Sequence, residues 1–343
     1  EPLIMTSDVK IEIKNLYKVF GNNPVAMMEL VKTGTSKQEL LDEYNHVLGL
    51  KNINLEISDR HIQVIMGLSG SGKSTLIRHI NRLIEPTAGN VIVDGQDVLA
   101  MTRLELQEFR RSQASMVFQR FALMPHRSVA DNVAYGLHIQ GIKGEEAEKR
   151  SQRWIERVGL AGYESHYTSQ LSGGMQQRVG LARALATDAE ILLMDEPFSA
   201  LDPLIRTDMQ EILLGLQTEL QKTIIFITHD LDEALRLGNS IVILRDGEVI
   251  QIGTAQQIVM NPVDNYIKDF IKDINRGRVI QVSSIMNTTV SNTGPQIDGD
   301  TVLEDALQVI SNSGSGVGEV TKDGKVVGSV DVDTIISTLS RRI

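Results

Sequence analysis

Eight consecutive residues, Gly67-Leu68-Ser69-Gly70-Ser71-Gly72-Lys73-Ser74, carry the densest chemical signal in the chain, and Thr75 follows them. They fit the pattern G-x-x-x-x-G-K-[ST], whose glycines let successive backbone N–H groups point into one concavity. A helix opening at the end of that loop adds partial positive charge at the same place. The ligand this favours is a chain of phosphates. Lys73 is expected to reach the β- and γ-phosphates, and Ser74 to offer its hydroxyl to Mg²⁺. A glycine-rich turn also arises by chance between a strand and a helix. Here the whole motif is present, between an apolar strand pattern (HIQVIMG) and a helical one.

A second group is Ile191-Leu192-Leu193-Met194-Asp195-Glu196, four apolar residues and two acids. A buried strand would carry the acids to its C-terminal end, beside the phosphate loop. Asp195 is then expected to hold Mg²⁺ through water, and Glu196 to polarise an attacking water. Adjacent acids are often only solvated surface groups, but rarely behind a wholly apolar strand. The third group is Leu171-Ser172-Gly173-Gly174-Met175-Gln176-Gln177-Arg178. Ser172 suits the cap of a helix whose free N–H groups form a second anion site.

The first two groups fit kinases, GTPases and helicases alike. The third resembles the LSGGQ signature of ABC ATPases, and the rest of that family's pattern follows in order. Gln119 in MVFQ matches the Q-loop glutamine, Ser199-Ala200-Leu201-Asp202 the D-loop, and His229 in FITHD the switch histidine. The resemblance implies that Gln119 senses Mg²⁺ and water, that Asp202 crosses a dimer interface, and that His229 contacts the γ-phosphate. It also implies that Ser172, Gly173 and Gly174 face the γ-phosphate held by a second subunit. An aromatic after the first strand stacks on adenine in this family; Phe20 is the better match and Tyr17 the competitor. A closer resemblance, to the ATPases of glycine betaine/proline osmolyte importers, rests on an insert at 21–48, NRLIEPTAGNVIVDGQDV, MVFQRFALMPHRSVADNVAYGL, LSGGMQQRVGLARALA and SALDPLIR. Relatives of that type often end in tandem CBS domains, whereas residues 276–343 resemble about one such unit.

The elements that must position these residues are legible in outline. The expected fold class is α/β: a P-loop NTPase core of the ABC ATPase type, with an antiparallel β part, a helical subdomain and a small C-terminal α+β CBS-like unit. Residues 10–20 and 50–58 alternate as strands of one sheet, with two short helices in the insert between them. HIQVIMG, AEILLMDE and KTIIFITHD are near-continuous apolar runs, as expected for parallel strands covered on both faces. Asp94-Gly95, Asp246-Gly247 and Asp323-Gly324 read as hairpin turns. From about Thr102 to Ala189 the pattern is helical, and the helical subdomain is expected near 105–185. The ATPase domain is expected over 1–275, with a charged connector after Pro262 and the CBS-like unit over 276–343.

Composition bounds the rest. The chain has 343 residues, no cysteine and a formal net charge of -10. Lack of cysteine removes disulfides, thiolate zinc sites and cysteine nucleophiles, and the acidic balance argues against nucleic acid as a partner. No apolar run approaches the ~18 residues of a membrane span, no secretory leader is visible, and Met5 is a candidate start. The expected cofactors are ATP and Mg²⁺. The expected partners are a second copy of the chain, integral-membrane permease subunits and, through them, a solute-binding protein. The expected place is the cytoplasmic face of the inner (plasma) membrane. The solute class is a quaternary or tertiary amine: glycine betaine, proline, choline, carnitine or trimethylamine N-oxide. A soluble ABC ATPase without a transport role is the alternative; such chains carry two cassettes or long coiled coils, and this one carries one cassette and no long heptad run. A regulator that binds without hydrolysing would not need Lys73, Glu196 and His229 together.

Overall fold

Alternation sets the first strand. In β1 (Val9–Phe20) Ile11 and Ile13 turn inward and face Ile57 and Leu55 across an antiparallel ladder with β2 (Val47–Ser58). The computed structural model describes residues 9–119, 122–199, 201–272, 274–289 and 294–340. Met5 and residues 1–4, and Ala200 of the D-loop match, lie outside that set. Two compact units result, one ending at Ile252 and the other starting at Gly253.

Between β1 and β2 the insert forms α1 (Met28–Lys32) and α2 (Lys37–Tyr44), as expected. A capping box of Ser36 and Glu39 starts α2, and Asn45, left-handed at φ 54°, ends it. Met28, Val31 and Leu40 pack on Val19 and Leu48, which anchors the insert to the sheet. The strand resumes at Val47, so the insert is slightly shorter than 21–48. The all-buried β3 (Ile62–Met66) leads into α3 (Lys73–Ile80). β4 (Ala88–Val93) and β5 (Gln96–Asp97) then complete a four-stranded sheet in the order β2-β1-β4-β5. Both Asp94 (φ 48°) and Gly95 (φ 77°) at the β4–β5 turn have the positive angles that a tight hairpin needs.

After α4 (Arg103–Glu108) comes β6 (Ala114–Val117), which the helical reading of residues 102–189 did not anticipate. Four residues are too few to show a period, and Ser115 and Met116 are only half-buried. The helices of the subdomain therefore begin later than 105: α5 (Val129–Ile139), α6 (Glu145–Arg157) and α7 (Gly173–Ala186). Next come β7 (Ile191–Asp195), α8 (Pro203–Leu220), β8 (Thr223–Thr228), α9 (Leu231–Leu237), β9 (Ser240–Arg245) and β10 (Glu248–Gly253). The larger sheet runs β10-β9-β3-β8-β7-β6 and is parallel from β9 through β6. Every residue of β3, β7 and β8 is buried, which explains their near-continuous apolar runs. Truncating a core leucine such as Leu193 to alanine would cost about 2–5 kcal/mol.

The second unit opens with α10 (Ala255–Met260) and α11 (Asn265–Ile271). It continues with β11 (Gln296–Asp298), α12 (Leu303–Ser313), β12 (Val317–Lys322), β13 (Lys325–Asp331) and α13 (Val332–Ser340). β11 pairs parallel and β13 antiparallel with β12. Its start differs from the expected boundary at 275/276. Pro262 marks only a break between two helices of one unit, and Gln281 N–H donates back to the Gln256 side chain.

Candidate active site

The phosphate loop joins β3 to α3. Gly67 has φ 150°, and a Cβ there would lie 2.2 Å from the Leu244 carbonyl oxygen. A Cβ on Gly72 (φ 103°) would lie 2.7 Å from the Gly49 carbonyl oxygen. A Cβ on Gly247 would meet that same oxygen at 2.8 Å, so the phosphate loop, β2 and the β9–β10 turn meet at three glycines. Lys73 opens α3 and is buried; its Nζ donates to Gly67 O at 2.8 Å and Leu68 O at 3.2 Å. Burial pushes its ammonium below the ordinary lysine range, against the opposing pull of Glu196.

Parallel strands β7 and β8 bring the acids to the loop. Asp195 is fully buried; Oδ1 accepts from Ser74 Oγ at 2.7 Å and Oδ2 from Arg78 Nη2 at 3.1 Å. The next residue, Glu196, adopts φ 46°, a left-handed angle that costs a non-glycine residue about 1–2 kcal/mol. Its N–H donates to Ile227 O at 3.2 Å, and its carbonyl accepts from the Ser199 hydroxyl at 3.1 Å. The bend turns the carboxylate back over the loop. There Gln119 Nε2 donates to Oε2 at 3.0 Å, His229 Nδ1 lies 3.3 Å from Oε2, and Lys73 Nζ lies 3.6 Å from Oε1.

These groups line one cavity of about 660 Å³, together with Leu68, Ser69, Gly70, Ser74 and Thr75 of the loop and helix start. Phe20 is on its wall and Tyr17 is not; Tyr17 packs against the insert instead. The other signature residues are elsewhere. Ser172, Gly173, Gly174 and Asp202 line a separate cavity of about 550 Å³ with Tyr163 and Arg178. Ser172 Oγ accepts from Met175 N–H as the cap of α7, and Asp202 Oδ1 accepts from Leu204 and Ile205 N–H as the cap of α8. Within one chain, these four residues do not reach the phosphate loop's cavity.

Residues 50–199 match the family model described as ABC transporter. The chain is 47% identical over 326 residues to the glycine betaine transport ATP-binding protein OpuAA of Bacillus subtilis (strain 168), covering 94% of this chain and 76% of that one. It belongs to the ABC transporter ATP-binding family. A second relative of this ABC chain is the trimethylamine N-oxide transport system ATP-binding protein TmoW of Pelagibacter ubique (strain HTCC1062), 41% identical with 98% and 99% of the two chains covered. Among solved structures, the dimeric post-hydrolysis state of the ATP-binding cassette MJ0796, bound to ADP and Pi, matches at a TM-score of 0.61 and 34% identity. It covers 71% of the ABC chain and 98% of its own.

The ABC chain's site fits the groups its family implies. Ser71 Oγ is buried in the phosphate loop without a partner among the described residues, an orphan that a phosphate oxygen would satisfy. Ser74 and Asp195 present hard oxygens 2.7 Å apart, which suits Mg²⁺ sharing its shell with phosphate and water. Sequence reasoning missed Lys37, Val47 and Gly49, which also line the first cavity. Lys37 reaches it from a helix in the insert, with no local motif to mark it. The left-handed turn at Glu196 was equally hidden, because glutamate is an unusual residue for it.

Proposed function

We propose that this chain is the ATP-hydrolysing subunit of an importer for a quaternary or tertiary amine solute, acting through separate permease subunits. The observation that carries the reading is the convergence of Lys73, Gln119 and His229 on the Glu196 carboxylate at the mouth of a phosphate loop. In this reading Phe20 stacks on adenine, the loop N–H groups from Leu68 to Thr75 bind phosphate oxygens, and Lys73 bridges the β- and γ-phosphates. Ser74, Asp195 and Gln119 would hold Mg²⁺. When bound, that ion neutralises charge on the phosphate oxygens. Glu196 accepts hydrogen bonding from the attacking water, and His229 steadies both the carboxylate and the γ-phosphate.

Two copies complete two sites. Ser172, Gly173, Gly174 and Asp202 of one copy close over the phosphate loop of the other, which gives a role to groups that face a separate cavity within one chain. The permease is received on the surface near Gln119 to His126, of which residues 120 and 121 lie outside the described set. Among the described residues no helix is long and apolar enough to cross a membrane. A peripheral place on the cytoplasmic face of the inner membrane, with a solute-binding protein delivering cargo to the permease, completes the proposal. Residues 276–343, CBS-like in sequence, regulate or stabilise the dimer.

The test is ATP hydrolysis by the chain reconstituted with its permease and binding protein, with glycine betaine, proline, choline, carnitine or trimethylamine N-oxide supplied in turn. Stimulation by one of these solutes supports the reading. Hydrolysis indifferent to permease and to every solute would favour the non-transport alternative.

A further inference from the structure

The insert between β1 and β2 contains none of the phosphate, acid or signature motifs, yet one of its side chains reaches the phosphate loop. Lys37, the first residue of α2, donates from Nζ to the Gly70 carbonyl oxygen at 3.0 Å and lines the same cavity as Ser69 and Lys73. Its backbone is fixed at both ends of the helical turn. The Ser36–Glu39 capping box sets the start of α2, and Leu40 is buried against Val19 and Leu48. No carboxylate pairs with Lys37 among the described residues. Nearby, Gln38 holds Asp42 at 2.9 Å, and Glu39 closes the capping box. An ammonium has three protons to donate, so the bond to Gly70 O leaves two for an anion.

We propose that Lys37 is an affinity residue for nucleoside di- and triphosphates, supplied by the insert, which both positions the phosphate loop through Gly70 and adds a cation at its rim. This rests on the nucleotide reading of the cavity given above. Lys73 supplies charge at the buried floor, while Lys37 is half-exposed. In a chain of net charge -10, with Glu196 in the same cavity, a rim cation offsets the repulsion met by an incoming polyphosphate. Lys37 contributes to binding rather than turnover, because the groups against Glu196 are Lys73, Gln119 and His229.

The experiment compares the full-length wild type with Lys37→Met and Lys37→Arg. ATP and ADP binding is titrated at about 50 mM and about 300 mM salt, and steady-state hydrolysis is followed alongside. Lys37→Met is expected to raise Kd for both nucleotides about fivefold at low salt, with a smaller gap at high salt. KM for ATP rises in proportion while kcat changes less than about twofold, and Lys37→Arg restores most of the affinity. Equal Kd values for wild type and Lys37→Met overturn the proposal. So does a loss that arginine fails to restore and salt leaves unchanged, since that is the behaviour of a neutral strut. A wild type whose nucleotide binding is no better than that of Lys73→Ala overturns the nucleotide reading itself, and this proposal with it.

Discussion

His229 Nδ1 lies 3.3 Å from Glu196 Oε2, the oxygen that also accepts from Gln119 Nε2 at 3.0 Å. Two elements that are far apart in sequence thus hold one carboxylate oxygen, while Lys73 approaches the other at 3.6 Å. Replacing Glu196 by glutamine keeps the size and much of the hydrogen bonding but removes the negative charge. Turnover is expected to fall about 10²–10⁴-fold with ATP binding retained. Single-turnover hydrolysis beside equilibrium binding is the measurement, and near-wild-type turnover would remove Glu196 from the role.

Ser172→Arg tests the composite site. The substitution gives up a helix cap worth about 1 kcal/mol and sets a long cation in the cavity shared with Gly173 and Asp202. Hydrolysis is expected to drop about a hundredfold or more, while a single copy still binds ATP at its own phosphate loop. Loss of binding together with hydrolysis would mean that the signature does not act from a second subunit.

The boundary at Ile252 and Gly253 predicts how the chain tolerates shortening. A chain ending at Ile252 is expected to fold and bind ATP. One ending at Asn275 keeps α10 and α11 but lacks the β11–β13 sheet of the same compact unit, so that unit is cut part-way. It is expected to be the less soluble of the two. Sizing chromatography and nucleotide binding on both truncations decide the matter, and a well-behaved 275-residue product beside an aggregating shorter one would move the boundary back.

His79 predicts a pH dependence. It is fully buried in α3, its Nδ1 donates to Thr75 O at 2.6 Å, and Nε2 has no partner among the described residues. Burial, aided by the charge of Lys18, lowers its pKa from 6.5 to about 4. Below the unfolded value of 6.5 the unfolded chain takes up a proton that the folded one refuses. Stability present above that pH is therefore lost as pH falls toward 4. At pH 5 the loss is about 2 kcal/mol relative to neutral pH. Urea unfolding of wild type and His79→Leu at both pH values should show a steeper acid decline in the wild type; parallel declines would contradict it.

The parts of this fold that were legible in sequence are those whose cause is local. Gly67, Gly70 and Gly72 mark their loop because each has a positive φ that favours glycine, and Asp94-Gly95 names its own turn. β3, β7 and β8 are readable because burial on both faces leaves them mostly apolar, with polar exceptions at Gln63, Asp195, Thr223 and Thr228. Ala114–Val117 was not, since its strand exists by pairing with β7 and carries no pattern of its own. Lys37 and the bend at Glu196 depend on contacts 33 residues away and with a neighbouring strand, respectively. No local rule encodes either.

The meeting of Gly49, Gly72 and Gly247 has a consequence for protein engineering. A two-residue hairpin turn such as Asp246-Gly247 is ordinarily where a chain is cut, permuted or given a foreign insertion at little cost. Here Gly247 N–H donates to Ser71 O at 3.1 Å, and Lys51 N–H donates to Gly247 O at 2.8 Å. Opening that turn would loosen the phosphate loop and the antiparallel sheet together. Insertion scanning should find the Asp94-Gly95 turn permissive, with no atom near a Cβ built on Gly95, and the outwardly similar Asp246-Gly247 turn closed to grafting.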